Sequence, residues 1–254
     1  MGREIEISLP IERVISLVPS QTELLFDLGL ASKIVGRTRF CIHPKQPVSK
    51  IPIIGGTKNI DLEKIRSLKP DLVIGNKEEN KKDSILKLEK TCSVWLSNVL
   101  SFEDSLDMIN SVSQLFDKSN KGNNINNEII SQFNSIPHFK GHTVLYLIWS
   151  KPYIGVGTNT FINSIIEKLG LKNVLQEKQR YPQLADNQIK RLNPDFVFLS
   201  SEPFPFKEQH KEKIKKLTPN SSVKFVNGEM FSWYGSRLLQ APNYFKMLFK
   251  SIYE

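Results

Sequence analysis

Along the chain, short β-branched and apolar runs alternate with stretches of helical periodicity. RVISLVP (13–19) predicts a strand, and in the following SQTELLFDLGL (20–30) Leu24, Leu25, Leu28 and Leu30 recur at helical spacing. Ser20 and Glu23 form an S-x-x-E capping pattern for that helix, and Gly29 stands where it would end. KIVGRTRF (33–40) predicts a short strand opening into CIHPKQPVSKIPIIGGTKN (41–59), whose three Pro and two Gly leave little room for regular structure. IDLEKIRSLKPDLVIGN (60–76) predicts a helix, a Pro-Asp turn and a buried strand, and CSVWLSN (92–98) another strand after a charged helix.

The second half repeats the first. LKPDLVIG (68–75) returns as LNPDFVFL (192–199), matching Pro70 with Pro194, and LLFDLGLASKIV (24–35) is echoed by IIEKLGLKNVL (165–175), matching Gly29 with Gly170. The offsets are 124 and 141, the longer loop around Cys41 and His43 lying in the first half. Between the halves, SFEDSLDMINSVSQLFDKSNKGNNINNEIISQFNSIPHFKG (101–141) places Phe102, Leu106, Ile109, Val112 and Phe116 on one helical face and Ile125, Ile129 and Phe133 on another, with SNKGNN (119–124) as the expected break. The pattern predicts an α/β protein of two similar lobes with central parallel sheets: an amino-terminal lobe over 1–100, a helical connector over 101–140 and a carboxyl-terminal lobe over 141–254. Ligands of open parallel sheets sit at the carboxyl ends of strands, so the expected site is a cleft between the lobes.

A length of 254 residues admits one large or two modest domains. The formal charge of +9 raises nucleic acid, anionic membrane or an acidic ligand, but only eight of 35 basic residues are Arg, and no nucleic-acid partner is expected. The longest apolar runs, such as VLYLIW (144–149), are too short to span a membrane. Cys41 and Cys92 form neither a disulfide framework nor a zinc pattern. MGREIEISLPIERV lacks the apolar core of a signal peptide, so the expectation is cytoplasmic as written, and periplasmic or lipid-anchored if a leader was removed.

Strand ends in the first half deliver Pro19 and Ser20, then Phe40, Cys41 and His43, then NKEEN with Asn76 and Glu78. In the second half they deliver Trp149, Lys151 and Tyr153, then SEPFPF (201–206), then GEMFSWYGSR (228–237). Phe204, Phe206, Phe231, Trp233 and Tyr234 lie outside the amphipathic runs, which suits a large flat or macrocyclic ligand and equally suits covers for the sheet ends. Glu202 and Glu229 could accept hydrogen bonds from ligand amides, and Arg237 could hold a phosphate or carboxylate; each fits a loop salt bridge as well. Cys41 and His43 could touch a metal, but HxH, HExxH and CxxC are absent and no protein-chelated metal is expected. No G-x-S-x-G, P-loop or G-x-G-x-x-G occurs, and GVGTNT (155–160) reads as a turn with a helix start at Thr158 to Thr160.

At RVISLVPSQTELLFDLGL, IGGTKNIDLEKIRSLKPDLVIGN and LNPDFVFLSS the chain resembles the helical-backbone substrate-binding proteins of ABC importers for cobalamin and iron siderophores. The resemblance implies two α/β lobes joined by a long connecting helix, with a metal chelate as the bound molecule, and no resident cofactor. It places Asn76 and Tyr181 where cleft aromatics are expected, aligns Phe231 and Arg237 in the last loop, and puts Met230 where a Trp is expected, leaving Trp149 and Trp233 to replace the missing rings. Family members dock on the permease through one acid per lobe; Glu63 fits the first, and the second falls at Asn187 with Asp186 beside it. The expected function is a monomeric, non-enzymatic solute-binding protein for cobalamin or another corrinoid, with His43 or Cys41 as an axial contact. The alternatives are a cytoplasmic corrinoid-, haem- or siderophore-binding protein without an importer, a chelatase-like enzyme using Cys41 or His43, and an interaction or sensor protein whose basic surface meets an acidic partner.

Overall fold

The computed structural model describes residues 5–139 and 141–253, so part of the opening segment read for a leader lies outside the described residues. The chain forms two compact units. The first contains residues 1–99, 103–131 and 234–239, and the second contains 100–102, 132–233 and 240–254.

In the first unit, β1 (Val14–Ser16), α1 (Pro19–Asp27), β2 (Ile34–Arg37), α2 (Lys45–Ser49), α3 (Leu62–Ser67), β3 (Leu72–Asn76), α4 (Lys82–Leu88) and β4 (Ser93–Ser97) follow in order. The strands make one parallel sheet in the order β2-β1-β3-β4. Every residue of β1 and β3 is buried, as continuous apolar runs require when both faces of a parallel sheet are covered. The capping pair expected at Ser20 and Glu23 is not formed. Helix α1 starts one residue earlier with Pro19 in its first turn, where a missing N–H is tolerated, and Glu23 is used elsewhere. Gly29 does end the helix, at φ +82°, with Leu30 N–H returning to Leu25 O at 2.9 Å. The Pro-rich loop holds a short helix, α2, that its composition did not suggest.

Helices α5 (Phe102–Leu115) and α6 (Ser119–Asn134) follow, and residues 103–131 belong to the first unit and not to a separate connector. The break falls at 116–118, where Asp117 is left-handed at φ 53°, and not at SNKGNN. Those residues are helical because Gly122 lies against α5: a Cβ there would sit 2.2 Å from Ser113 Oγ, so the absence of a side chain lets the helices approach. Asn126 Nδ2 then donates to Leu106 O and Asn110 Oδ1.

The second unit contains β5 (Thr143–Trp149), β6 (Tyr153–Gly155), α7 (Phe161–Lys168), β7 (Lys172–Asn173), β8 (Gln183–Leu184), α8 (Asp186–Leu192), β9 (Phe196–Ser200), α9 (Glu208–Leu217), β10 (Ser222–Val226), α10 (Gly228–Ser232) and α11 (Ala241–Tyr253). Its sheet runs β10-β9-β5-β6-β8, with β7 beside β5. β10, β9, β5 and β7 are parallel, while β6 and β8 add antiparallel pairs. Alternation sorts the two faces: Leu145, Leu147, Val197 and Leu199 join an aliphatic cluster with Ile189 and Ile214, and Tyr146 and Phe198 turn to an aromatic layer. Thr160 caps α7 by accepting the Asn163 N–H, as the GVGTNT reading expects.

The repeated Pro-Asp turns share one local device. Lys69 and Asn193 take left-handed φ of 44° and 38° before Pro70 and Pro194. Asp71 Oδ2 accepts the N–H groups of Glu12 and Arg13 at 2.8 Å, and Asp195 Oδ2 accepts the Thr143 N–H and Oγ1–H. Each carboxylate thereby ties its turn to the start of a neighbouring strand. The Thr143 donors hold the Asp195 carboxyl below the usual carboxylate range. A depressed folded-state value adds stability above the unfolded value near pH ~4, which is lost as pH falls through the folded one. In urea melts between pH 5 and 3, Asp195→Asn is therefore expected to lose less of its midpoint than the parent; equal losses would refute the tie.

Candidate functional site

In the first unit the carboxyl ends of the strands are closed by polar side chains. Pro19 and Ser20 are buried at the start of α1. Gln21 Nε2 and Asn76 Nδ2 both donate to Ser97 Oγ, at 2.7 and 3.0 Å. Asn76 Oδ1 accepts the N–H groups of Glu78 and Glu79, and its own N–H goes to Asn80 Oδ1. Asn76, placed by resemblance among cleft aromatics, is thus a buried turn former, with half-buried Glu78 on the turn it shapes.

The loop after β2 divides its residues between inside and outside. Buried Arg37 donates to the carbonyls of Val48 and Cys41 and fixes the loop. Cys41 is wholly buried, with Sγ 3.0 Å from Thr22 Oγ1 and 3.2 Å from Thr38 Oγ1. Burial pushes the thiol up in spite of those hydrogen bonds and the Arg37 charge. This corrects the expectation of Cys41 as an axial contact or a chelatase nucleophile, since its sulfur faces the interior as a neutral thiol. His43 is half-buried, and Phe40 and Ile42 point outward with 52% and 47% of their surface exposed. Among the described residues no three His, Cys, Asp or Glu side chains are grouped to hold a metal ion.

Residues 234–239 also belong to this unit. Arg237 Nε donates to Glu23 Oε2 at 2.9 Å, with the two side chains only 4% and 8% exposed. Tyr234 donates to Glu79 Oε1 at 3.2 Å, its phenol pushed well up by burial and then by the Glu79 charge, and Gly235 N–H donates to Ser105 Oγ at 2.8 Å. Of the two readings of Arg237, a ligand anion or a salt bridge, its side chain is committed to the second, on an internal carboxylate.

In the second unit, Trp149 stands 39% exposed at the end of β5, with its ring 5.4 Å from that of half-buried Phe204. Phe206 and His210 extend the cluster, and His210 Nδ1 accepts the Lys207 N–H at 2.9 Å. Glu202 accepts Ser232 Oγ and Trp233 Nε1, at 2.8 and 3.0 Å, so this acid orders the last loop. Phe231 is fully buried among Tyr146, Phe198 and Phe245, and Tyr153 lies in the aliphatic cluster; both correct the expectation of ligand contacts. Glu229, Met230 and Tyr181 are half-buried, and Arg180 lies over the Tyr181 ring. Glu63 and Asp186 lie in the first turns of α3 and α8, helices that precede the repeated Pro-Asp turns; Glu63 pairs with Arg66, and Asp186 is 3.8 Å from Lys213.

Gln21, Glu23, Glu79 and Ser97 were not foreseen as an organising layer. The available signal was two polar residues, Gln21 and Glu23, on a helix that directly follows a wholly buried strand.

The family described as Periplasmic binding protein matches residues 14–224. A vitamin B12-binding protein from Vibrio vulnificus is 28% identical over 200 residues, covering 75% of this chain and 72% of that protein. An uncharacterized ABC transporter substrate-binding lipoprotein from Bacillus subtilis is 26% identical over 209 residues, 77% of this chain and 66% of its own length. Among solved structures, a possible iron-binding periplasmic solute-binding protein from Staphylococcus epidermidis matches with TM-score 0.78 at 25% identity, covering 96% of this chain and 99% of that one. The periplasmic vitamin B12 binding protein of Vibrio cholerae shares the fold with TM-score 0.77 at 21% identity, covering 96% and 99%.

Proposed function

Since this chain belongs to the periplasmic binding protein family, we propose that it is a non-enzymatic substrate-binding protein of ABC-type uptake whose ligand is a metal chelate, a corrinoid ahead of a haem or a ferric siderophore. The observation that carries this reading is the exposure of apolar rings at strand ends that otherwise turn their chemistry inward. Phe40 in the first unit and the Trp149–Phe204 pair in the second offer flat apolar surface. Cys41, Arg237 and Glu202 are engaged in internal contacts. Such rings suit a bulky planar guest bound through area and amide hydrogen bonds. The corrinoid is placed first because vitamin B12-binding proteins recur among the relatives. Glu63 and Asp186 are the docking acids for a permease in this reading, and the compartment is the outer side of the cytoplasmic membrane, where a lipoprotein or periplasmic relative works.

Titration with cyanocobalamin, haemin and a ferric hydroxamate, followed by tryptophan fluorescence, tests the ligand. Saturable quenching by micromolar cyanocobalamin is expected, with affinity about tenfold weaker in Trp149→Ala, a loss of about 1.4 kcal/mol. Quenching by haemin alone would replace the corrinoid with a haem, and no response to any of the three would overturn the reading.

A further inference from the structure

The positive charge of this chain is unevenly shared. The first unit carries nineteen Lys and Arg against seventeen Asp and Glu, whereas the second carries sixteen against nine, a formal +7 of the total +9. Three of these lysines, Lys211, Lys224 and Lys250, lie on α9, β10 and α11 of the second unit. β10 ends the sheet, leaving its outer edge without a neighbouring strand among the described residues. Lys211 of α9, which lies 3.9 Å from the exposed Glu208 carboxylate, places its ammonium 5.2 Å from the centre of the Phe225 ring, which is 39% exposed. On the other face, Lys224 Nζ donates to Ser251 O and brings α11 alongside. Met247, 70% exposed, lies one helical turn before Ser251, with exposed Lys250 beside it.

We propose that this border of the second unit, built on Lys211, Lys224, Phe225, Met247 and Lys250, rests on an anionic lipid surface. Charge complementarity selects the occupant. Fourteen of the sixteen basic residues of this unit are Lys, compact point charges that follow a diffuse negative potential and lack the planar fork suited to bases and single phosphates. Juxtamembrane basic residues are attracted to acidic headgroups, and interspersed Phe and Met side chains fit the boundary between headgroups and acyl chains. The same residues also keep the open strand edge from pairing with another chain, but that protective role needs neither an exposed Phe nor an exposed Met. None of these five residues is among those assigned to chelate binding.

Co-sedimentation of the full chain with vesicles of 30% phosphatidylglycerol in phosphatidylcholine tests it. Binding at low salt, at least tenfold weaker to pure phosphatidylcholine and lost in 0.5 M salt, is the expected result, since screening shortens the reach of exposed charges. Lys211→Ala/Lys224→Ala/Lys250→Ala should weaken binding about tenfold, and Phe225→Ser should weaken it while leaving the charge intact. Both variants should keep the circular dichroism and the chelate response of the parent. Equal sedimentation with both vesicles, no sedimentation, or a preference for a DNA duplex or an acidic polypeptide at the same salt would overturn the proposal.

Discussion

Arg237→Ala should destabilise the first unit by about 3–5 kcal/mol, because it takes one side out of a buried ion pair and leaves the Glu23 carboxylate in the interior without the Arg237 charge. For a chain of this size that corresponds to a melting point roughly 6–20 °C lower. The paired variant Glu23→Gln/Arg237→Met removes both charges and should recover most of the loss, since breaking a buried pair from one side costs more than replacing both partners. Thermal and urea melts of the two variants decide the matter. A loss under about 1 kcal/mol for Arg237→Ala would mean that water reaches Glu23 and that the pair contributes no more than a surface bridge.

Phe231→Ala should cost about 3–5 kcal/mol in unfolding free energy, the usual range for deleting a fully buried ring. Its ring lies 4.9 Å from Phe245 and 5.1 Å from Tyr146, so the void would open within the aromatic layer beneath the last loop. Phe231→Leu keeps more of the volume and should cost less than half as much. Were Phe231 a ligand contact instead, both variants would retain parental melting while chelate affinity fell. Comparing the urea midpoint with the chelate titration separates the two.

The elements with strong periodicity were legible in the sequence, along with the internal repeat, because burial on both faces of a parallel strand forces runs such as LKPDLVIG and LNPDFVFL into the chain. Helix ends were legible where one residue type has a single conformational use, as at Gly29 and Thr160. The start of α1 was not. Pro19 and Ser20 are both good helix-start residues, and the choice between them depends on where Glu23 finds a partner, 214 positions away in Arg237. The SNKGNN break failed for a related reason. Asn and Gly lower helix propensity locally, but the missing Gly122 side chain is what allows α6 to lie on Ser113 of α5.

The candidate site was legible as a set of strand ends and illegible as a set of orientations. Consecutive loop residues can face opposite ways, and Phe40, Cys41 and Ile42 do so: the rim residues are exposed while the thiol between them is sealed. Spacing alone likewise could not show that Phe231 belongs to the core while Trp149 stays open to solvent.

Residues 234–239 complete the unit with which the chain begins. During synthesis, therefore, residues 1–99 and 103–131 must wait until residues 234–239 have been made before the interior of their unit can close. Unlike a domain made of one continuous segment, this unit cannot mature before the intervening residues 132–233 have also been made.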